Sequence, residues 1–185
     1  MSLGWLLYKK EVKIHQIFSS PEHNYFTREK FDIGVSVTLE HNSVTLQEGR
    51  GIKGDRFEFS TYPITLFSLE VAEEVCRELE LPLDVKLFRR NIIISGVHLN
   101  SLIGEEFTLG GVKFRGLAHC APCPWMNAVM KKGAYTLMRG RGGLRVEVVS
   151  AGTLVLGEIS LETQKLQEES PLSALKRGLI PSRRV

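Results

Sequence analysis

The sequence is short of cysteine, and the shortage is informative. Only three occur in 185 residues, Cys76, Cys120 and Cys123. So odd and sparse a set is not a disulfide framework. It fits a reducing compartment, where thiols stay free for metal or catalytic use. Long apolar runs are missing as well. A spanning helix needs about 20 apolar residues, and no stretch of this chain approaches that. The apolar patch Trp5-Leu6-Leu7 is followed, not preceded, by Lys9 and Lys10, the wrong order for a secretory signal. A cytoplasmic protein with no membrane partner is therefore expected. A strong charge of one sign is also lacking, because 24 Lys and Arg against 21 Asp and Glu leave +3. That permits an anionic ligand but does not imply nucleic acid, which is not expected as a partner.

The rest of the composition is ordinary. Hydrophobic residues make up 43% and charged residues 24%, which excludes disordered, collagen-like and coiled-coil chains. The length suits one domain with a real core. The dominant hydrophobic period is two. Val12 and Ile14 alternate with charge, Ile33, Val35, Val37 and Leu39 with small or polar residues, and Leu144, Val146 and Val148 do the same, all reading as strands. A turn is expected at Glu40–Ser43, with Val44 to Leu46 returning. Gly110-Gly111 between Phe107/Leu109 and Val112/Phe114 is a hairpin signal, since both central turn residues can take positive φ. Gly152 punctuates before Leu154 to Leu156, and Ile92 to Ile94 form a strand with Arg89-Arg90-Asn91 at its start.

Helices are few. Ser68 caps a helix carrying Glu70, Val71, Ala72, Val75 and Leu79, stopped by Pro82. A second, shorter helix is expected from Pro124 to near Gly133. Many short strands, glycine-rich turns and two helices predict a mainly β fold, a closed or strongly curved mixed barrel. The expected division is a barrel domain over 1–160 and an appendage or tail, weakly helical, over 161–185.

Chemistry concentrates at His119-Cys120-Ala121-Pro122-Cys123-Pro124-Trp125. With Pro124 at the first helical position, Cys123 becomes the N-cap, where backbone N–H groups and the helix dipole favour a thiolate. The thiolate is the nucleophile, the persulfide carrier and the soft metal ligand. Cys76 lies on an apolar helix face and reads as core, while Cys120 fits either role. A zinc site would need about four ligands, and no second Cys pair is present. A thioredoxin-like pair needs a βαβ setting that the pattern does not show. A second group is Arg139-Gly140-Arg141-Gly142-Gly143-Leu144-Arg145. Glycines let amides approach an anion and arginines supply forked donors. Alone, this reads as a flexible turn with solvated arginines. Together with Arg89-Arg90 and Gly51-Ile52-Lys53-Gly54-Asp55-Arg56, it suggests an anionic ligand held beside a reactive sulfur.

These segments, with Pro63-Ile64-Thr65-Leu66 and the run Leu102 to Gly110, resemble in order and combination a MOSC domain, named for the C-terminal domain of the molybdenum cofactor sulfurase. The resemblance covers roughly Val12 to Leu156. It implies a β-barrel of the pyruvate-kinase β-barrel type and a single functional Cys, the one following Pro, which is Cys123. That Cys carries sulfur or ligates molybdenum. The molybdenum cofactor (molybdopterin) is the implied ligand. By charge type, Lys53, Arg56, Arg89, Arg90, Asn91, Arg139, Arg141 and Arg145 are the candidate contacts to it. Some family members are fused to a pyridoxal-phosphate cysteine desulfurase, whereas others resemble the mitochondrial amidoxime reducing component. This chain has no room for a desulfurase domain, so pyridoxal phosphate is not expected to bind it. It also lacks ferredoxin Cys spacing, so electrons or sulfur come from a separate electron donor or cysteine desulfurase. Three functions follow in order: molybdenum-dependent oxo transfer or N–O reduction at Cys123, a Cys123 persulfide carrier (a sulfur transferase), and a non-enzymatic anion-binding module. Substrate and oligomeric state are not legible.

Overall fold

The structure, a computed structural model, describes residues 8–24, 34 and 36–164. Ten strands are described: β1 (Tyr8–Ser19), β2 (Leu39–His41), β3 (Ser43–Leu46), β4 (Ile64–Ser68), β5 (Ile92–Ser95), β6 (Glu106–Leu109), β7 (Val112–His119), β8 (Leu144–Val148), β9 (Gly152–Val155) and β10 (Gly157–Thr163). Three helices accompany them: α1 (Leu69–Glu78), α2 (Met126–Val129) and α3 (Ala134–Leu137). The strand order β10-β6-β7-β8-β4-β5-β1 closes on itself because β1 also pairs with β10. Closure removes the sheet edges. The barrel is mixed, since β4 and β5 run parallel and the other neighbours antiparallel. β1 is long enough to serve three partners. Its first half pairs with β10, and its second half with β5 and β2.

The strands follow their sequence pattern. In β8, Leu144, Val146 and Val148 point inward while Arg145 and Glu147 alternate with them. Gly110 and Gly111 make the expected hairpin, both at positive φ, joining β6 to β7 in register. The expected mainly β barrel is thus the observed fold. Its interior is filled by Ile14, Leu46, Leu66, Ile92, Phe107, Phe114 and Val146 among others. A second core lies outside the barrel wall, where Phe67, Phe88, Ile93, Val75, Cys76 and Met138 pack together with α1. β4 and β5 therefore bury both faces, which is why Ile92 to Ile94 read as a continuous apolar run and β4 is apolar but for Thr65 and Ser68. α1 starts where expected, with the Ser68 side chain accepting from Val71 N–H. Burial of Cys76 on that helix pushes its thiol up, as an inert core thiol requires.

Three expectations are corrected. Ile33 and Val35 lie outside the described residues, but 36–38 form no strand. Val37 and Leu39 are exposed, and among the described residues β2 pairs only with β1. The turn over 40–43 shrinks to Asn42, and β3 returns not on β2 but on β9. Of the helix expected from Pro124 to Gly133 only the four residues of α2 are α-helical, ending at Met130, and α3 starts beyond Gly133. The last strand runs to Thr163, through the expected boundary at 160. The rest of the expected appendage, 165–185, lies outside the described residues. No helix among the described residues is long and apolar enough to cross a membrane.

Phe67 is fully buried between the two cores and packs on Phe88 at 4.7 Å between ring centroids. Phe67→Ala is expected to cost about 3–5 kcal/mol. Urea unfolding checks this, with the exposed Lys113→Ala as a control that stays within about 0.5 kcal/mol of wild type.

Candidate functional site

The ends of β1, β4, β7 and β8 and the loops that leave them enclose a cavity of about 390 Å³. His23 and Asn24 follow β1, Arg56, Phe57 and Tyr62 precede β4, and Thr65 lies on it. Arg89 and Arg90 precede β5, Arg145 lies on β8, and Cys120, Ala121, Cys123, Trp125 and Met126 follow β7. Arg145 and Thr65 are register partners across β8 and β4. The cavity thus collects four arginines and two thiols. No carboxylate lines it among the described residues.

The arginines are not equivalent. Arg89 is committed to the scaffold. Its Nη1 donates to Ser36 O and Thr38 Oγ1, and its Nη2 to Ser20 Oγ and Glu22 O. Its backbone is left-handed, φ 56, and burial with the neighbouring Arg56 charge lowers it to about 10. Arg90 donates from Nε to Gly142 O and from Nη1 to Phe88 O. Arg56 donates from Nη1 to Asp55 and from Nη2 to Arg89 O. Its Nε is buried without a partner, and so is Trp125 Nε1. Arg145 stacks over Tyr62, 4.7 Å from the ring centroid. Among the described residues its guanidinium makes no hydrogen bond. Three cationic groups thus keep donor capacity at the cavity: Arg145, Arg90 and Arg56.

The other expected contacts have different work. Asn91 is 1% exposed. It accepts from Thr65 N–H and Oγ1–H, and donates to Phe18 O and Asp55. It stitches strands together and does not line the cavity. Lys53 lines a separate hollow with Arg50 and Glu58. Arg139 is exposed. Arg141 pairs with Glu74 and donates to Leu137 O, pinning its loop to α1. From Arg139 to Gly143 this segment packs against α1 and the cysteine segment, and of its three arginines Arg145 lines the cavity. A Cβ on Gly142 would collide with Cys120 O, and one on Gly143 with Leu66 O. Only glycines let the loop lie against the cysteine segment, where Cys120 N–H donates to Gly143 O at 2.7 Å.

Cys123 is half-buried and faces the cavity, and Cys120 is buried beside it. The expected helix cap is not there. α2 starts at Met126 with Trp125 as its cap, and Cys123 contributes only its carbonyl, which accepts Met126 N–H. A four-residue helix brings no useful dipole, so the positive surroundings of the thiol are the arginines. His23, Asn24, Phe57, Tyr62, Trp125 and Met126 complete the wall. Sequence reading assigned them no firm role, since aromatics and lone histidines are more often core.

The arginines also govern the histidines. Burial, then the Arg56 and Arg89 charges, lower His23 to about 4. Burial, then Arg90 and Arg145, lower His119 to about 4 from 6.5. Both are neutral at pH 7. The unfolded chain binds these protons more readily, so the stability they contribute is full above pH 6.5 and lost as pH falls through about 4. For the buried His119 this is on the order of 3 kcal/mol. Urea midpoints should hold steady near neutrality and fall toward pH of about 5. His119→Gln should flatten that fall.

Comparison with known proteins fits this geometry. A model of the MOSC domain matches residues 49–159, and no curated protein matches the chain. The fold is similar to that of the YuaD protein from Bacillus subtilis, with TM-score 0.67, 17% identity, and 85% of this chain and 99% of that one covered. It is similar to YiiM from Geobacillus stearothermophilus, with TM-score 0.58, 14% identity, and 81% and 74% covered. YiiM from Escherichia coli gives TM-score 0.58, 15% identity, and 82% and 69% covered. At such identities the likeness is one of fold. The family match spans the Arg56 loop, the Arg-Arg-Asn segment, both cavity cysteines and Arg145, and the chain belongs to the MOSC domain family.

Proposed function

We propose that the cavity binds the molybdenum cofactor, with Cys123 as the soft sulfur ligand of the metal, and that the protein is a molybdenum-dependent oxidoreductase. The observation that carries this reading is a half-buried thiol sharing one cavity with cationic donors, two of whose polar wall atoms, Arg56 Nε and Trp125 Nε1, are buried and unpartnered. Buried orphan donors are rare in a finished core, and an oxyanion satisfies them. The donor set fits the group: guanidinium for a phosphate, thiolate for molybdenum.

Each residue then has a task. Arg145, Arg90 and Arg56 hold the anionic end. Arg89 fixes the wall from which they reach. Phe57, Trp125 and Met126 exclude water, which strengthens every charge interaction inside. Cys123 would hold the metal. Bound there, the cofactor would supply oxo transfer or N–O reduction, with electrons from a separate donor in a reducing, cytoplasmic setting. The second thiol, Cys120, supports one further reading. In it Cys123 carries a persulfide supplied by a separate cysteine desulfurase, and pyridoxal phosphate stays with that partner.

Cys123→Ser is expected to lose most of its molybdenum when purified from a molybdenum-replete host. Elemental analysis showing a full complement overturns the ligand role. Sulfur added to Cys123 after incubation with a desulfurase, read by mass spectrometry, would favour the carrier. The arginines should separate as well. Arg145→Gln is expected to weaken cofactor affinity roughly ten- to hundredfold with little change in stability. Arg89→Gln strips acceptors in the scaffold and is expected to cost about 2–4 kcal/mol of stability. Cofactor titration and urea unfolding of both variants check this.

A further inference from the structure

We propose that Asp55 is a positioning residue of this site, whose buried carboxylate sets the Arg56 guanidinium so that Arg56 Nε is presented to a ligand anion. This rests on the anion-holding cavity proposed above. Asp55 does not line that cavity, and its side chain is 0% exposed. A buried carboxylate persists only when paired and hydrogen-bonded, and this one is. Oδ2 accepts Ser20 N–H at 2.8 Å, Asn91 Nδ2 at 3.2 Å and Arg56 Nη1 at 3.3 Å. Oδ1 accepts Phe57 N–H at 2.9 Å. With its lone pairs taken up in this way, Asp55 acts through its neighbours.

Arg56 is the neighbour with something to present. Three contacts fix its plane: Nη1 to Asp55, Nη2 to Arg89 O at 3.0 Å, and its face over the Phe57 ring at 4.7 Å. These bonds use one N–H on each Nη, and Nε is the buried atom with no partner among the described residues. The Arg56 backbone N–H donates to Ser20 O at 2.8 Å, so Asp55 and Arg56 clasp the same residue at the end of β1. Ser20 Oγ in turn accepts from Arg89. One carboxylate thus ties the β1 end, the Arg56 loop and the segment before β5 into one rim. Rival roles for Asp55 are charge balance alone or fold maintenance alone, and the three roles predict different outcomes.

The test uses inorganic pyrophosphate as the probe and calorimetry as the readout, with thermal unfolding run on each variant. Asp55→Asn keeps the volume and removes the charge. If Asp55 positions Arg56, affinity falls roughly tenfold. The loss should also vanish in an Arg56→Gln background, because residues acting as a unit are not additive. If Asp55 only balances charge, its removal raises anion affinity, which overturns the proposal. If it only maintains the fold, the Asp55→Asn and Arg56→Gln losses add, which overturns it too. Should Asp55→Asn not fold, Arg56→Lys, which keeps the charge but not the fork that Asp55 fixes, is measured instead. A loss of affinity of roughly tenfold supports the proposal, and wild-type affinity overturns it. Wild-type protein that binds no pyrophosphate overturns the anion-holding cavity itself, and this role with it.

Discussion

Four like charges face one small space, and the rest of the structure is arranged to tolerate that. Arg56, Arg89, Arg90 and Arg145 share a cavity that no carboxylate lines among the described residues. Partly desolvated cations repel one another more strongly than they would in water, and each must find acceptors or shed its charge. Backbone carbonyls do most of the work. Those of Glu22, Ser36, Phe88, Arg89 and Gly142 all accept from a guanidinium. The nearby histidines respond differently and remain neutral. A single buried acid, Asp55, stands behind the wall. An anion in the cavity, as proposed above, would complete the balance.

Holding those donors dictates odd local backbone. Arg89 takes a left-handed conformation that costs a non-glycine residue free energy. It is retained because that turn sends one arginine back into the scaffold while the next, Arg90, reaches the cavity. Gly142 and Gly143 let the loop before β8 touch the cysteine segment and Leu66. That contact puts the Gly142 carbonyl where Arg90 Nε needs it. The barrel supplies the rigidity beneath. Its interior is filled with apolar side chains, so the cavity lies at the strand ends, against the second core.

The strands were legible because a barrel wall with one buried face writes itself as period two. β8 and the Gly110-Gly111 hairpin are the clearest cases. The stretch around Val37 shows the limit. Alternation persists there, but among the described residues β2 pairs only with β1, and the pattern alone does not say whether a face is covered. The helix at Pro124 misled for a related reason, since proline fixes where a turn can begin but not how far it propagates. The site was half legible. Residue type and order pointed to Cys123, Arg56, Arg90 and Arg145. Sequence shows that an arginine is charged, not where its donors are spent. Arg141 and Asn91 therefore carried the right chemistry to the wrong partners. The ties of Asp55 were not legible, because its partners Ser20 and Asn91 lie about 35 residues away on either side.

The two cavity thiols illustrate how packing beside a site fixes what faces it. Gly142 lies against Cys120 O and Pro122, an approach that a Cβ would forbid, and Cys120 N–H donates to Gly143 O at 2.7 Å. The cysteine segment is thereby seated on the loop before β8, with both free thiols lining one cavity, Cys123 half-buried and Cys120 buried. If the cavity takes the ligand proposed above, the arginines set which groups it admits, and the seating of the cysteine segment sets where sulfur meets them.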